Sequence, residues 1–250
     1  RDSDGTLVRQ IEGEAAKGLH RSAWDLRLPA PDPIDLVDHG ERPYWETPPA
    51  GPLALPGEYT ARLAVRKDGV LKEVSESQRF TVKALNASPE ITADRKALQT
   101  FQLKVAKLQR AVLGSTSVIG ELNTRLAHIR AAIIQTPSTG DAERAAVNQL
   151  ASRLTELGAA LNGDATVGGR NEPVPMPINS RVSALYYGLV FTQSAVGGSY
   201  KESYQVAASE FGKALTSLRS LEADITALET SLELQGAPWT PGRIPNWSEN

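Results

Sequence analysis

From Leu98 to Ile133, apolar side chains recur at alternating spacings of three and four residues: Leu98, Phe101, Val105, Leu108, Val112, Ile119, Leu122, Leu126, Ile129 and Ile133. Only Ser115 interrupts the series. A 3.5-residue repeat held this long places one continuous apolar seam along a helix, the pattern of coiled coils and antiparallel bundles. Such a seam cannot face water over its whole length, so the chain must supply partner helices.

The partners follow in order. Thr92 or Asp94 is placed to cap the first helix, which should run to about Gln135 with a kink at Gly114. Pro137-Ser138-Thr139-Gly140 ends it, and Asp141 can cap a second helix with the seam Val147, Leu150, Leu154, Leu157 and Leu161. After a Gly- and Pro-rich loop from Asn162 to Pro177, the residues Ile178, Val182, Leu185 and Leu189 mark a third helix. Gly197-Gly198 then breaks the chain, and Ser199 can cap a fourth helix. Its seam is Tyr204, Ala207, Phe211, Ala214, Leu218, Leu221, Ile225, Leu228 and Leu232. Four amphipathic helices with these connections predict an elongated, up-down-up-down antiparallel four-helix bundle over residues 86–235. A first helix of about 40 residues spans roughly 60 Å. Even parity would return the Pro- and Trp-rich tail, residues 236–250, to the end where the first helix begins, docked near the β domain through Trp239 and Trp247.

Before residue 86 the period is two. Tyr59, Ala61, Leu63 and Val65 alternate with Thr60, Arg62, Ala64 and Arg66, and Asp68-Gly69 marks a hairpin turn into a return strand over 70–83. Leu7 to Ile11 and His20 to Leu28 read as two further strands, the first entered through the tight turn at Asp4-Gly5 as the second half of a hairpin whose first half lies upstream of Arg1. Residues 29–56 hold eight of the sixteen prolines. Proline cannot donate to a ladder, so this stretch is expected to be an ordered or wrapping loop. About four legible strands are fewer than the roughly seven of an immunoglobulin sandwich. The expected class is therefore α+β with two segregated domains: an incomplete immunoglobulin-like β-sandwich over residues 1–85, then the helical bundle over 86–235.

Composition narrows function by exclusion. The 250 residues carry a net charge of −2, with 12 basic and 14 acidic side chains in residues 1–85 and 15 of each in residues 86–250. Neither part has the clustered Lys and Arg excess of a nucleic-acid binder. Zero cysteine removes disulfides, thiol catalysis and Cys-ligated metals. No apolar run approaches the roughly 18 residues of a membrane span, and no signal peptide is legible. Arg1 reads as part of a turn already inside a structure, so the chain is expected to be a fragment or processed form.

Catalytic patterns are sparse. Asp2, Asp4 and Gly5 echo a calcium loop but lack its further ligands, which favours a turn. Asp32, Asp35, Asp38, His39 and Glu41 sit in the Pro-rich loop, where no regular element fixes ligand geometry. His20, His39 and His128 belong to no metal or catalytic motif, and the Gly168-Gly169 and Gly197-Gly198 pairs read as loop breakers. No carboxylate pair suited to glycoside hydrolysis stands out. Asn86-Ala87-Ser88 and Asn246-Trp247-Ser248 match the glycosylation sequon. Tyr186-Tyr187 and Tyr200 to Tyr204 read first as packing residues, then as a carbohydrate-stacking surface. No residue is nominated as catalytic, cofactor-binding or metal-ligating, and no cofactor is expected.

Four segments together resemble a known family. Asp4-Gly5-Thr6-Leu7-Val8-Arg9, Gly18-Leu19-His20-Arg21 leading to Trp24-Asp25-Leu26-Arg27, and Pro56-Gly57-Glu58-Tyr59-Thr60-Ala61-Arg62-Leu63 are similar to the immunoglobulin-like module that follows the β-propeller of bacterial sortilin-like (VPS10-like, BNR-repeat) proteins. The ending Gly236-Ala237-Pro238-Trp239-Thr240-Pro241-Gly242-Arg243-Ile244-Pro245 resembles that of the same proteins' C-terminal bundle. The resemblance implies a secreted, periplasmic or cell-surface setting and an upstream propeller as partner. Family members are often labelled glycosyl hydrolases on account of the propeller. This chain contains no Asp-box repeat, and no catalytic residue carries over. The expectation is a non-catalytic scaffold or protein-interaction region, with a homodimer through the helices as a further expected partner. The alternatives are a part of a glycoside hydrolase whose catalytic propeller is absent from this chain, or a carbohydrate-binding module using Tyr44, Trp45, Tyr186 or Tyr187.

Overall fold

A computed structural model describes residues 1–34, 36, 40, 43, 48–85, 89–170, 173–245 and 247, with the backbone alone at 89–94 and 165. The fold is mixed α+β. Its elements are β1 (Gly57–Ala61), β2 (Ala64–Lys67), β3 (Val70–Glu73), β4 (Gln78–Val82), α1 (Pro89–Gln135), α2 (Asp141–Asn162), the single turn α3 (Ala165–Gly168), α4 (Ile178–Val190) and α5 (Gly198–Leu234). The strands form two antiparallel two-stranded sheets, β1 with β4 and β2 with β3. Packing divides the chain into two compact units, one of residues 1–107 with 186–198 and one of 108–185 with 199–250. The change of period instead marks residue 86, because repeat length and packing density respond to different things.

In the first unit, Lys67 pairs with Val70 across Asp68 and Gly69, whose φ values of +51° and +79° make the two-residue turn that matches strand twist. One long hairpin was expected, but it is interrupted. Ala61 faces Gln78, whereas the Val74 N–H donates to the Leu63 carbonyl, so residues 75–77 stand opposite Arg62. This bulge splits the hairpin into two ribbons, and the Ser75 hydroxyl accepts from the Leu63 N–H at 2.8 Å. Val8, Ala54 and Tyr59 form a small core with Trp24, Leu28 and Val82 against it. Trp24 meets Tyr59 edge-on at 5.4 Å.

The expected strands over 7–11 and 20–28 do not form; residues 7–26 contain no strand, and only an isolated bridge joins Arg27 to Leu53. The cause is local. Leu26 has φ +58°, Asp25 Oδ1 accepts from the Arg27 N–H at 3.0 Å, and Trp24 Nε1 donates to the Arg27 carbonyl at 3.0 Å. An Asx-type turn thus takes the place of extended backbone.

The helical seams pack as their spacing requires. All ten predicted positions of α1 are buried except Phe101, which is partly so, and Ser115 is buried in line with them. The five predicted positions of α2 and the four of α4 are also buried. α1 starts at Pro89, so Thr92 and Asp94 lie inside the helix and do not cap it, and it continues through Gly114. Proline at a helix start needs no N–H partner there. Gly140, not Asp141, is the N-cap of α2, and its N–H donates to Glu143 Oε2 at 2.8 Å. α5 begins at Gly198, one residue before the cap expected at Ser199.

Within the second unit, cross-helix contacts fix direction. Thr116 bonds Asn162 at 3.0 Å, and Ile119 lies against Gly158, so α2 runs antiparallel to α1. Gln109 then bonds Ser183 at 3.2 Å: moving back along α1, α4 is met after α2. Gly163 and Pro177 close on each other, and Asn179 reaches Asn162 at 3.4 Å. α2 and α4 therefore follow one another along the same helix, and residues 163–177 are an excursion whose ends meet. α5 runs antiparallel to α2, through Arg153–Asp224 at 2.7 Å and Gln235–Glu143 at 3.3 Å. The up-down-up-down order fails because the 163–177 loop does not reverse the chain. Ser138 Oγ donates to the Gln235 carbonyl, so α5 finishes where α1 finishes and not, as parity predicted, where it begins.

Candidate functional site

Proline-dense backbone has few ladder partners for its carbonyls, and buried carbonyls must find donors elsewhere. In the first unit four consecutive carbonyls each find one. The Tyr186 hydroxyl donates to Ala50 O at 2.5 Å, Arg27 Nη1 to Gly51 O at 3.0 Å, the Leu28 N–H to Pro52 O at 2.9 Å, and Gln99 Nε2 to Leu53 O at 2.7 Å. The Arg27 guanidinium also reaches Val190 O at 3.2 Å and lies 5.0 Å from the centre of the Phe191 ring. Gln102, itself buried, donates to Leu189 O at 2.6 Å. At Gly51 the backbone passes so close to Leu28 and Pro29 that an added Cβ would stand 2.2 Å from the Leu28 carbonyl oxygen.

This is the most organised polar site among the described residues, and its donors are committed to backbone. Burial, then the nearby Asp32 carboxylate, push the Tyr186 hydroxyl well above its ordinary value of 10, and Tyr187 is raised for the same two reasons. Tyr186 is thus a hydrogen-bond donor at physiological pH and not a phenolate nucleophile. Asp32 Oδ2 is shielded and has no hydrogen-bond partner among the described residues.

The second unit holds a buried charge cluster. The Glu229 side chain is 0% exposed and receives two bonds from Arg125, Nε to Oε1 at 3.2 Å and Nη2 to Oε2 at 2.6 Å. Arg243, from the tail, lies 3.9 Å from the same carboxylate, and it bonds Glu233 at 2.8 Å and Thr240 at 3.2 Å. The hydrogen bonds that Arg125 donates to Glu229 raise its guanidinium above the ordinary value, which keeps it charged. The tail is therefore held through Arg243 and the buried Thr240. The tryptophans expected to dock expose half (Trp239) and 84% (Trp247) of their surface.

No family model matches the chain, and no curated protein or solved structure matches it significantly. The site residues must therefore be read from geometry.

Asp2 Oδ1 accepts from the Asp4 and Thr6 N–H groups at 3.1 and 2.8 Å, a turn role. His20 has both ring nitrogens engaged, by Glu14 at 3.0 Å and by the Ala16 carbonyl at 2.8 Å, and His128 is exposed on α1. Asp35, Asp38, His39, Glu41, Tyr44 and Trp45, the sequon residues Asn86 to Ser88, and Asn246 and Ser248 lie outside the described residues. Among the described residues no group of three His, Asp or Glu is placed to hold a metal, and no helix is long and apolar enough to cross a membrane. Tyr186 and Tyr187 meet edge-on at 5.4 Å, with Tyr186 buried and Tyr187 half-exposed.

Sequence reasoning missed Arg27, Gln99, Gln102, Arg125 and Glu229. A signal existed for the last: Glu229 lies four residues after the seam residue Ile225, as much on the seam as Leu228 at three.

Proposed function

We propose that this chain is a non-catalytic scaffold or interaction region, and that its resemblance to the C-terminal part of sortilin-like, BNR-repeat propeller proteins reflects that role. On this reading residues 1–85 are a partial immunoglobulin-like β-module, and the helices form an antiparallel bundle of three legs in which α2 and α4 share one. The protein works in a secreted, periplasmic or cell-surface setting beside a β-propeller, and the helices also pair two copies. The observation that carries the reading is the commitment of Arg27, Gln99, Gln102 and Tyr186 to backbone carbonyls and of Arg125 and Arg243 to Glu229 and Glu233. An acid–base or nucleophilic site needs a group within hydrogen-bond reach of a substrate in a cleft. These groups have instead been satisfied internally.

The test is a hydrolysis screen of the purified 250-residue chain against glycans and peptides, with binding to a glycan array alongside. No turnover and no saturable binding is the expected result. Turnover lost on changing Asp35 or Asp38 to Ala would instead make the chain an enzyme. Light scattering on the same sample reads the copy number.

A further inference from the structure

We infer that residues 237–243 are the resident ligand of a peptide seat spanning α1 and α5. The seat reads an extended Thr-Pro-Gly-Arg segment, and a partner polypeptide bearing such a segment enters it by displacing the tail. The inference deepens the reading of the chain as an interaction region and rests on it.

The seat lies wholly within the second unit. At the end of α5 the Gly236 N–H donates to Glu233 O and the Ala237 N–H to Leu232 O, both at 3.0 Å, with Gly236 at φ +80°. This closure turns the chain back along the helix it has just left. Pro238 and Pro241 fix φ and have no N–H to donate, so the returning segment stays extended. Gly242 then rests on the aliphatic stem of Arg125, where an added Cβ would stand 3.9 Å from Cδ. Arg243 Nη1 donates to Glu233 Oε2 at 2.8 Å, while its Nε donates to Thr240 Oγ1 at 3.2 Å and lies 3.9 Å from Glu229 Oε2. Residues four apart on a helix are neighbours on its surface, so one guanidinium spans both carboxylates.

What holds the tail is polar. Thr240 is 4% exposed and the Arg243 side chain 13%, whereas Trp239 is half-exposed and Ile244 stands in solvent. A segment held through two polar side chains, with its large apolar ones in water, is released far more readily than a piece of core. What receives the tail is built in advance. The Glu229 carboxylate is withdrawn from solvent on a largely apolar seam and is gripped at two points by Arg125. A buried ion pair adds little over apolar packing, so stability does not account for its presence. Recognition of a planar guanidinium does, because its fork matches carboxylates in a way that a lysine point charge cannot. The tail is thus an intramolecular competitor, present at the roughly millimolar effective concentration that a short tether gives.

The experiment titrates a fluorescein-labelled peptide of residues 237–245 into the full 250-residue chain and into its Arg243→Ala variant, reading anisotropy. The seat predicts saturable binding to Arg243→Ala, about tenfold tighter than to the unaltered chain, whose own tail competes. A peptide carrying lysine at the Arg243 position should bind about tenfold more weakly. Excess peptide should also speed amide hydrogen exchange over residues 237–243 of the unaltered chain, a readout that needs no variant to fold. Equal affinity for the two chains, no binding to either, or equal binding of the lysine peptide overturns the inference. A dimer of the unaltered chain that Arg243→Ala abolishes overturns it too, by giving the seat to a second copy's tail. Turnover in the hydrolysis screen would defeat the functional reading yet leave the peptide titration as it is, so the two failures are distinguishable.

Discussion

Arg125 of α1 holds Glu229 of α5 by a two-point grip, Nε to Oε1 at 3.2 Å and Nη2 to Oε2 at 2.6 Å, with the carboxylate wholly withdrawn from solvent. A planar guanidinium matches a carboxylate in this geometry, and the second arginine, Arg243, brings the tail to the same acid. Such a pair adds little net stability over an apolar pair, but it is costly to break from one side, because the remaining charge stays buried.

Glu229→Ala should therefore destabilise the protein by about 3–5 kcal/mol in urea unfolding. Glu229→Leu combined with Arg125→Met should recover much of that loss. If the double variant is as unstable as Glu229→Ala, the uncompensated charge is not the cause.

Arg243→Ala removes the bonds to Glu233 and Thr240 while leaving Arg125 on Glu229. The expected effect is local: faster hydrogen exchange across residues 237–243, with an overall cost of about 1 kcal/mol for the lost hydrogen bonds. A global unfolding shift of several kcal/mol without local change would contradict the tail's being held at this point.

Alkaline pH should expose the buried tyrosines. Tyr59, Tyr186, Tyr187 and Tyr204 are all raised above 10, chiefly by burial. Above pH 10 the unfolded chain releases these protons while the folded chain retains them, so stability is intact below pH 10 and falls as pH rises beyond it. Phenolate absorbance should rise late and together with unfolding. Tyr186→Phe should flatten the decline while costing about 1 kcal/mol at neutral pH through the bond to Ala50.

Gly51→Ala places a methyl group 2.2 Å from the Leu28 carbonyl oxygen and 2.4 Å from that of Pro29. Backbone must move, and the carbonyls of Ala50, Pro52 and Leu53, which accept from Tyr186, Leu28 and Gln99, move with it. A loss of about 1–3 kcal/mol, with a weakened near-ultraviolet signal from Trp24, is expected. An unchanged signal would mean that the 50–53 segment is not anchored as described.

The sequence made the helices legible because burial and period are the same information there: each seam residue from Leu98 to Leu232 is a statement about one face. It was less informative where one side chain decides. Leu26 at φ +58° undoes a strand that His20 to Leu28 otherwise spells, and residues 75–77 opposite Arg62 divide a hairpin that alternation reads as continuous. Glu229 was passed over because an acid reads as solvent-facing until its partner on another helix is known. The order of the legs was lost at a loop, since composition marks where a chain leaves a helix and not where it comes back. The struts on residues 50–53 leave no sequence trace at all, because Arg27, Gln99 and Tyr186 are brought together only by the fold.

The meeting of Gly163 with Pro177 makes residues 164–176 a detachable cassette. The packed faces of α2 and α4 register against α1 on either side of the junction, and closing a loop of different length changes the free energy by only about 0.6 kcal/mol per doubling. Lengthening, shortening or replacing the cassette should leave the legs aligned. Because the ends meet at Gly163 and Pro177, a new peptide, label or domain installed between them should leave the core in place.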